Sequence, residues 1–176
     1  MTMPPALRAC AALALLCLLA GCGGRAGGPV VQGMSRPADT RLLYCVPYAR
    51  ERANIDLRGD GWQWWEAATG RYARTQQPEV GAVLVFNRTN RLQAGHVAVV
   101  TRVVSSRELR VDHANWDSRR GGGPVATDQP VLDVSPGNDW TLVRVWYPAG
   151  NHLGSTAFAT AGFVLPRPPG EPPRRT

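Results

Sequence analysis

Apolar and polar positions change their period partway along the chain. Between Tyr44 and Asn54, Val46, Ala49 and Ala53 fall at helical spacing with Arg50, Glu51 and Arg52 between them, which predicts a helix. Pro47 is tolerated only in a first helical turn, so this helix starts near Cys45. Gly59 to Gly61 reads as a turn, and Trp62 to Thr69 as a second, short helix stopped by Gly70. Three of its residues, Trp62, Trp64 and Trp65, suit a core or a groove wall.

Beyond Pro78 the period becomes that of strands. Pro78-Glu79-Val80-Gly81 turns into the apolar run Ala82 to Phe86. His96 to Val104 is Val-rich throughout, the pattern of a strand buried on both faces. After a hairpin turn at Ser105-Ser106, Arg107 to Asn115 alternates, with Leu109, Val111, His113 and Asn115 on one side and Arg110 and Asp112 on the other. Ser118 to Asp128, containing Gly121-Gly122-Gly123, reads as a loop, and Trp140 to Tyr147 as the last strand. Helices first and an antiparallel sheet afterwards predict an α+β fold with N-terminal helices packed on the sheet.

The two ends read differently. Arg8 followed by the apolar run Ala9 to Ala20 has the form of an export signal; about a dozen residues fall short of the roughly 20 that span a bilayer. The run ends in Leu19-Ala20-Gly21-Cys22, which looks like a bacterial lipobox with Cys22 as the lipidated residue. The expected organisation is a signal peptide over 1–21, a flexible linker over 22–39, the folded domain over 40–149 and a Pro-rich disordered tail over 150–176. By resemblance to Gram-negative lipoproteins, Gly23 after Cys22 favours delivery to the outer membrane, facing the periplasm.

Charge adds little to this picture. The net charge is +7 and every basic residue is Arg. A basic surface suits anionic lipid or cell-wall carboxylates; the scatter of the Arg residues argues against nucleic acid. The chain is expected to be a monomer.

The cysteines matter more. Of the four, Cys10 and Cys17 leave with the signal peptide and Cys22 takes lipid. Cys45 remains as a lone thiol in an oxidising compartment, either a buried structural residue or a nucleophile. At a helix start its thiolate is expected to be stabilised by amide N–H groups and the helix dipole. A nucleophilic Cys needs a base, usually His. His152 lies outside the expected domain, leaving His96 and His113. A two-residue turn at Ser105-Ser106 sets Asn115 opposite His96 and Ala98 opposite His113, all on one face with Leu109 and Val111. A helix packed on that face would bring Cys45 to them. Each His could equally be a satisfied core residue. Zinc would find only three ligands and no Cys-x-x-Cys spacing, so neither metal nor cofactor is indicated.

At these residues the sequence resembles the CHAP family (cysteine, histidine-dependent amidohydrolases/peptidases) of the NlpC-type, papain-like group. The matching segments are Cys45-Val46-Pro47-Tyr48-Ala49-Arg50, Gly59-Asp60-Gly61-Trp62 through Trp64-Trp65, Pro78-Glu79-Val80-Gly81 with Val83-Leu84-Val85-Phe86, Gly95-His96-Val97-Ala98-Val99-Val100, Asp112-His113-Ala114-Asn115-Trp116 and Val143-Arg144-Val145-Trp146-Tyr147. The resemblance implies a papain-like CHAP fold, a nucleophile at Cys45, a base at His96 and an orienting polar residue at His113, where many members carry an acid. Asn115 matches a further polar position. Tyr44 stands where several relatives carry Gln, which leaves the Cys45 N–H as the oxyanion donor. Tyr44, Trp62, Trp65 and Trp116 are candidates for the substrate groove. The implied activity is hydrolysis of peptidoglycan amide bonds through an acyl-enzyme. The alternative is a catalytically inactive wall-binding or scaffold lipoprotein with the same fold.

Overall fold

The computed structural model describes residues 39–116 and 122–172. The signal peptide over 1–21, Cys22 and all of the linker but its last residue lie outside the described residues. Nine strands follow one another: β1 (Asp39–Leu43), β2 (Arg74–Thr75), β3 (Val83–Phe86), β4 (His96–Val103), β5 (Glu108–Ala114), β6 (Gly123–Asp133), β7 (Leu142–Tyr147), β8 (His152–Leu153) and β9 (Phe158–Val164). Helix α1 (Cys45–Ala53) lies between β1 and β2, as do a 3-10 turn (Gly61–Gln63) and the four-residue α2 (Trp64–Ala67).

The sheet does not stay open. It runs β6-β5-β4-β3-β9-β7, and a further antiparallel pairing of β7 with β6 joins its ends into a closed six-stranded barrel. β1 adds to β6 outside the ring, β8 to β7 and β2 to β9. The α+β expectation, N-terminal helices packed on an antiparallel sheet, is thereby corrected: the fold is mostly β and built on a barrel, with helices as a partial outer cover.

Two strands hidden in the sequence make the difference. β6 occupies the region read as a loop; Pro124 and Pro130 lack the N–H of a ladder donor, and Asp128 takes φ +54 beside a bulge opposite β5. β9 occupies part of the region read as a disordered tail. Its Ala-Thr-Ala-Gly run is weakly apolar, yet it fills the gap between β3 and β7. Both strands gain stability from neighbours distant in sequence, which local composition does not reveal.

Closure separates two cores. Alternate residues Ala82, Leu84, Phe86, Ala98, Val100, Leu109, Val111, Val131, Val143, Val145 and Phe163 point into the barrel. The opposite faces of β3, β4 and β9 present Val83, Val85, Val97, Val99 and Val164 to Ala49, Ala53, Ile55, Leu57, Trp64 and Ala68 on and around the helices. β3 and the first part of β4 are thus covered on both sides, as their continuous apolar runs predict. Each fully buried Val or Leu contributes about 1.5–3 kcal/mol relative to exposure.

Candidate active site

The β4–β5 hairpin carries the two imidazoles. Val99 opposes Asp112 and Val100 opposes Val111, the register expected from the sequence, although the turn is wider than two residues. Val104 and Ser105 both donate to the Glu108 carbonyl, and an extra residue at Thr101 bulges β4 back into register. His96 and His113 therefore share the inward face with Ala98, Val100, Leu109 and Val111. They sit at one end of the barrel, where Phe86 pairs with His96.

There His96 Nε2 and His113 Nδ1 lie 3.1 Å apart. Both residues are buried. Trp116 stacks on His113 at 5.4 Å and 25° and meets His96 edge-on at 4.8 Å. Phe86 and Phe158 back the indole. In this apolar enclosure protonation is unfavourable, so burial pushes His113 down to about 3 and holds His96 well below its ordinary value, with the neighbouring His113 lowering His96 further by a smaller amount.

Cys45 is the first residue of α1, preceded by Tyr44 in extended conformation at the N-cap. It packs with the outer core, across β4 from the barrel interior. The expectation that α1 covers the same strand face as the imidazoles is corrected here, because closure gives that face to the barrel interior. The thiol lies against the Val97 amide, one residue along β4 from His96. No hydrogen bond links Sγ to either imidazole. Burial pushes the thiol above its ordinary value; the amides of Val97, Val46 and Cys45 pull it back only in part, and the Asp60 carboxylate adds to the rise. The expected stabilisation of the thiolate at the helix start is thus outweighed by desolvation.

The remaining candidates divide. Asn115 leaves β5 at φ +62, donates its N–H to the Pro124 carbonyl at 3.1 Å, and buries Oδ1 without a partner among the described residues; no hydrogen bond joins it to an imidazole. Trp62 is tied to the site through its backbone: its N–H donates to Ala94, and a Cβ on Gly95 would lie 2.6 Å from that nitrogen. Tyr44 and Trp62 stay exposed, at 55% and 37%. Trp65 does not join them; it packs over Gly162 of β9 and beneath the Arg74 guanidinium at 5.0 Å. An open cavity of about 550 Å³ beside α1, lined by Arg50, Asp56 and Tyr72 among others, includes none of the candidates. Among the described residues no group of His, Cys, Asp or Glu is disposed to hold a metal ion.

Sequence reasoning gave no role to Phe86 and Phe158, which pack on the imidazole and indole rings, or to Asp60 beside the thiol. Asp60 had a signal, since it lies between two glycines.

Fold and site define a small β-barrel domain with a helix-start thiol and a buried imidazole pair at one end. Residues 37–115 match the family profile described as the CHAP domain. CHAP domains are hydrolase- and peptidase-like and act on peptidoglycan. No curated protein and no solved structure matches the chain.

Proposed function

We propose that this chain is a cysteine-dependent peptidoglycan hydrolase, an amidase or endopeptidase working through an acyl-enzyme at Cys45. The observation that carries the reading is the His96–His113 contact of 3.1 Å beside a helix-start thiol. If His96 Nε2 donates to His113 Nδ1, the lone pair of His96 Nδ1 is left to act as a base. Both imidazoles are neutral at rest, so the thiol gives up its proton to His96 as the sulfur attacks the carbonyl carbon. The amides that approach the sulfur at the start of α1 suit the oxyanion. His96 then returns the proton to the leaving amine. A water, deprotonated by the same nitrogen, attacks the thioester carbonyl, releases the acid and restores the thiol. His113 fixes the ring of His96, and Trp116 keeps water from their contact. Lipidation at Cys22 would hold the domain at the cell envelope.

One observation favours the second reading, an inactive wall-binding scaffold: the thiol is raised by burial and bonded to neither imidazole. The two are separated by incubating wild type and Cys45→Ala with purified peptidoglycan and reading released fragments by mass spectrometry. New amine ends with wild type alone support the hydrolase; none with either protein, together with binding to the wall, supports the scaffold.

A further inference from the structure

Among the residues not yet given a role, Gln129 of β6 is buried and faces into the barrel. Val111 pairs with Gln129 and Leu109 with Val131. Directly paired residues share a face, so Gln129 lies on the inward face with Leu109, Val111 and Val131. It is only 3% exposed. An amide buried beside an apolar core is costly unless both its nitrogen and its oxygen find partners.

The local backbone accounts for half of that amide. β6 carries an extra residue between Ala126, which pairs with His113, and Gln129, which pairs with Val111. Asp128 takes φ +54 in this bulge. Its N–H donates to Asp112 Oδ1 at 2.9 Å, and Arg52 Nε donates to Asp112 Oδ2 at 3.3 Å, which holds the bulge from outside. Gln129 Nε2 donates to the Thr127 carbonyl at 2.7 Å. That bond uses the nitrogen and orients the amide. Oε1 is left as an acceptor, buried without a partner among the described residues.

His113 has the complementary need. When its Nδ1 accepts from His96 Nε2, its own proton is on Nε2, and that atom is likewise buried and unpaired among the described residues. Across the β5–β6 ladder His113 and Gln129 are diagonal neighbours on one face, with Cα atoms roughly 7–8 Å apart, a span that long side chains cross. Asn115 Oδ1 is also buried and unpaired, but Asn115 follows the end of β5 at φ +62 and leaves the alternation that points His113 inward.

We infer that Gln129 is a positioning residue: its Oε1 takes the His113 Nε2–H through one buried water and so sets the direction of the hydrogen bond between the two imidazoles. This rests on the hydrolase reading and deepens it. In the opposite direction, His113 Nδ1–H donates to His96 Nε2, and the proton of His96 moves to its Nδ1. The lone pair that receives the thiol proton is then lost. A chain from His96 through His113 to Gln129 holds the base in its working tautomer.

The test reads the tautomers directly. Protein carrying 15N-labelled histidine is studied by NMR at neutral pH, where the ring-nitrogen shifts separate a protonated nitrogen from a bare one. Wild type, Gln129→Leu, Gln129→Glu and Asn115→Ala are compared, and kcat and KM are measured on peptidoglycan fragments. Wild-type His113 is expected to carry its proton on Nε2. Gln129→Leu, which has no acceptor, should move part of His113 to the Nδ1–H form and lower kcat about tenfold at unchanged KM, as loss of one buried hydrogen bond implies. Gln129→Glu keeps an acceptor and should restore the Nε2–H form and most of kcat. Wild-type His113 protonated on Nδ1 overturns the inference without any variant. So does an unchanged tautomer in Gln129→Leu, or a shift produced by Asn115→Ala in its place. If no fragment is cleaved while the tautomer still follows Gln129, the positioning role stands and the hydrolase reading falls.

Discussion

His96 Nε2 and His113 Nδ1 approach to 3.1 Å inside a ring of aromatic side chains, and this contact fixes which nitrogen of His96 remains for chemistry. Among the described residues His113 has no second hydrogen-bond partner, because its Nε2 is buried and unpaired. Its role in the proposed reaction is therefore to orient His96. His113→Ala is expected to lower kcat on the order of 10²-fold with little change in KM. His113→Asn, which can still accept from Nε2, should recover part of that loss. A fall in KM affinity as large as the fall in kcat would instead make His113 a substrate contact.

Burial on the other side of β4 sets the reactivity of the thiol. Burial raises Cys45 above its ordinary value of 9.0, with Asp60 adding to the effect. Alkylation by iodoacetamide, which follows the thiolate, should be slow at pH 7 and still rising beyond pH 9. Asp60→Asn should move the midpoint to lower pH. A midpoint below pH 8 in wild type would show that the helix-start amides outweigh desolvation.

Burial of two neutral imidazoles also ties stability to pH. The folded values of His96 and His113 lie below the unfolded value of 6.5, so below that pH the unfolded chain binds protons that the fold excludes. Their contribution is complete above pH 6.5 and is lost as pH falls toward about 3, the folded value of His113. Each group steepens the loss by about 1.4 kcal/mol per pH unit within that window. Urea midpoints from pH 7 to pH 4 should fall steeply for wild type and less steeply for His113→Gln. Parallel curves would mean that His113 is protonated in the folded state.

The site was more legible in the sequence than the fold. Lone Cys45, His96 and His113 stand out because few residue types carry this chemistry, and alternation along 107–115 fixed which face His113 takes. The hairpin register emerged correctly through two compensating features, a wider turn and the bulge at Thr101, neither of which has a compositional mark. Closure of the sheet was invisible because β6 carries two prolines and β9 a glycine at φ +125, residues that locally disfavour strands. Once the ring is closed, the face marked by Leu109 and Val111 becomes barrel interior, which is why α1 had to lie on the other side of β4.

Gly162 is where the hidden strand can be tested. It pairs with Val85 inside the ring, and a Cβ there would lie 2.8 Å from the Thr75 carbonyl, 2.8 Å from Trp65 Cζ3 and 2.9 Å from Gln76 Nε2. Gly70 offers the comparison, since it also has positive φ, +72, but a Cβ there meets nothing within 4 Å. Gly70→Ala should cost only the conformational penalty, about 1–2 kcal/mol. Gly162→Ala carries a comparable backbone penalty and adds about 1–3 kcal/mol from overpacking against β2 and the Trp65 ring. Urea unfolding of the two variants should therefore rank Gly162→Ala well below Gly70→Ala. Equal losses would place β9 outside the tightly packed barrel and return the region after Tyr147 to a loosely attached tail.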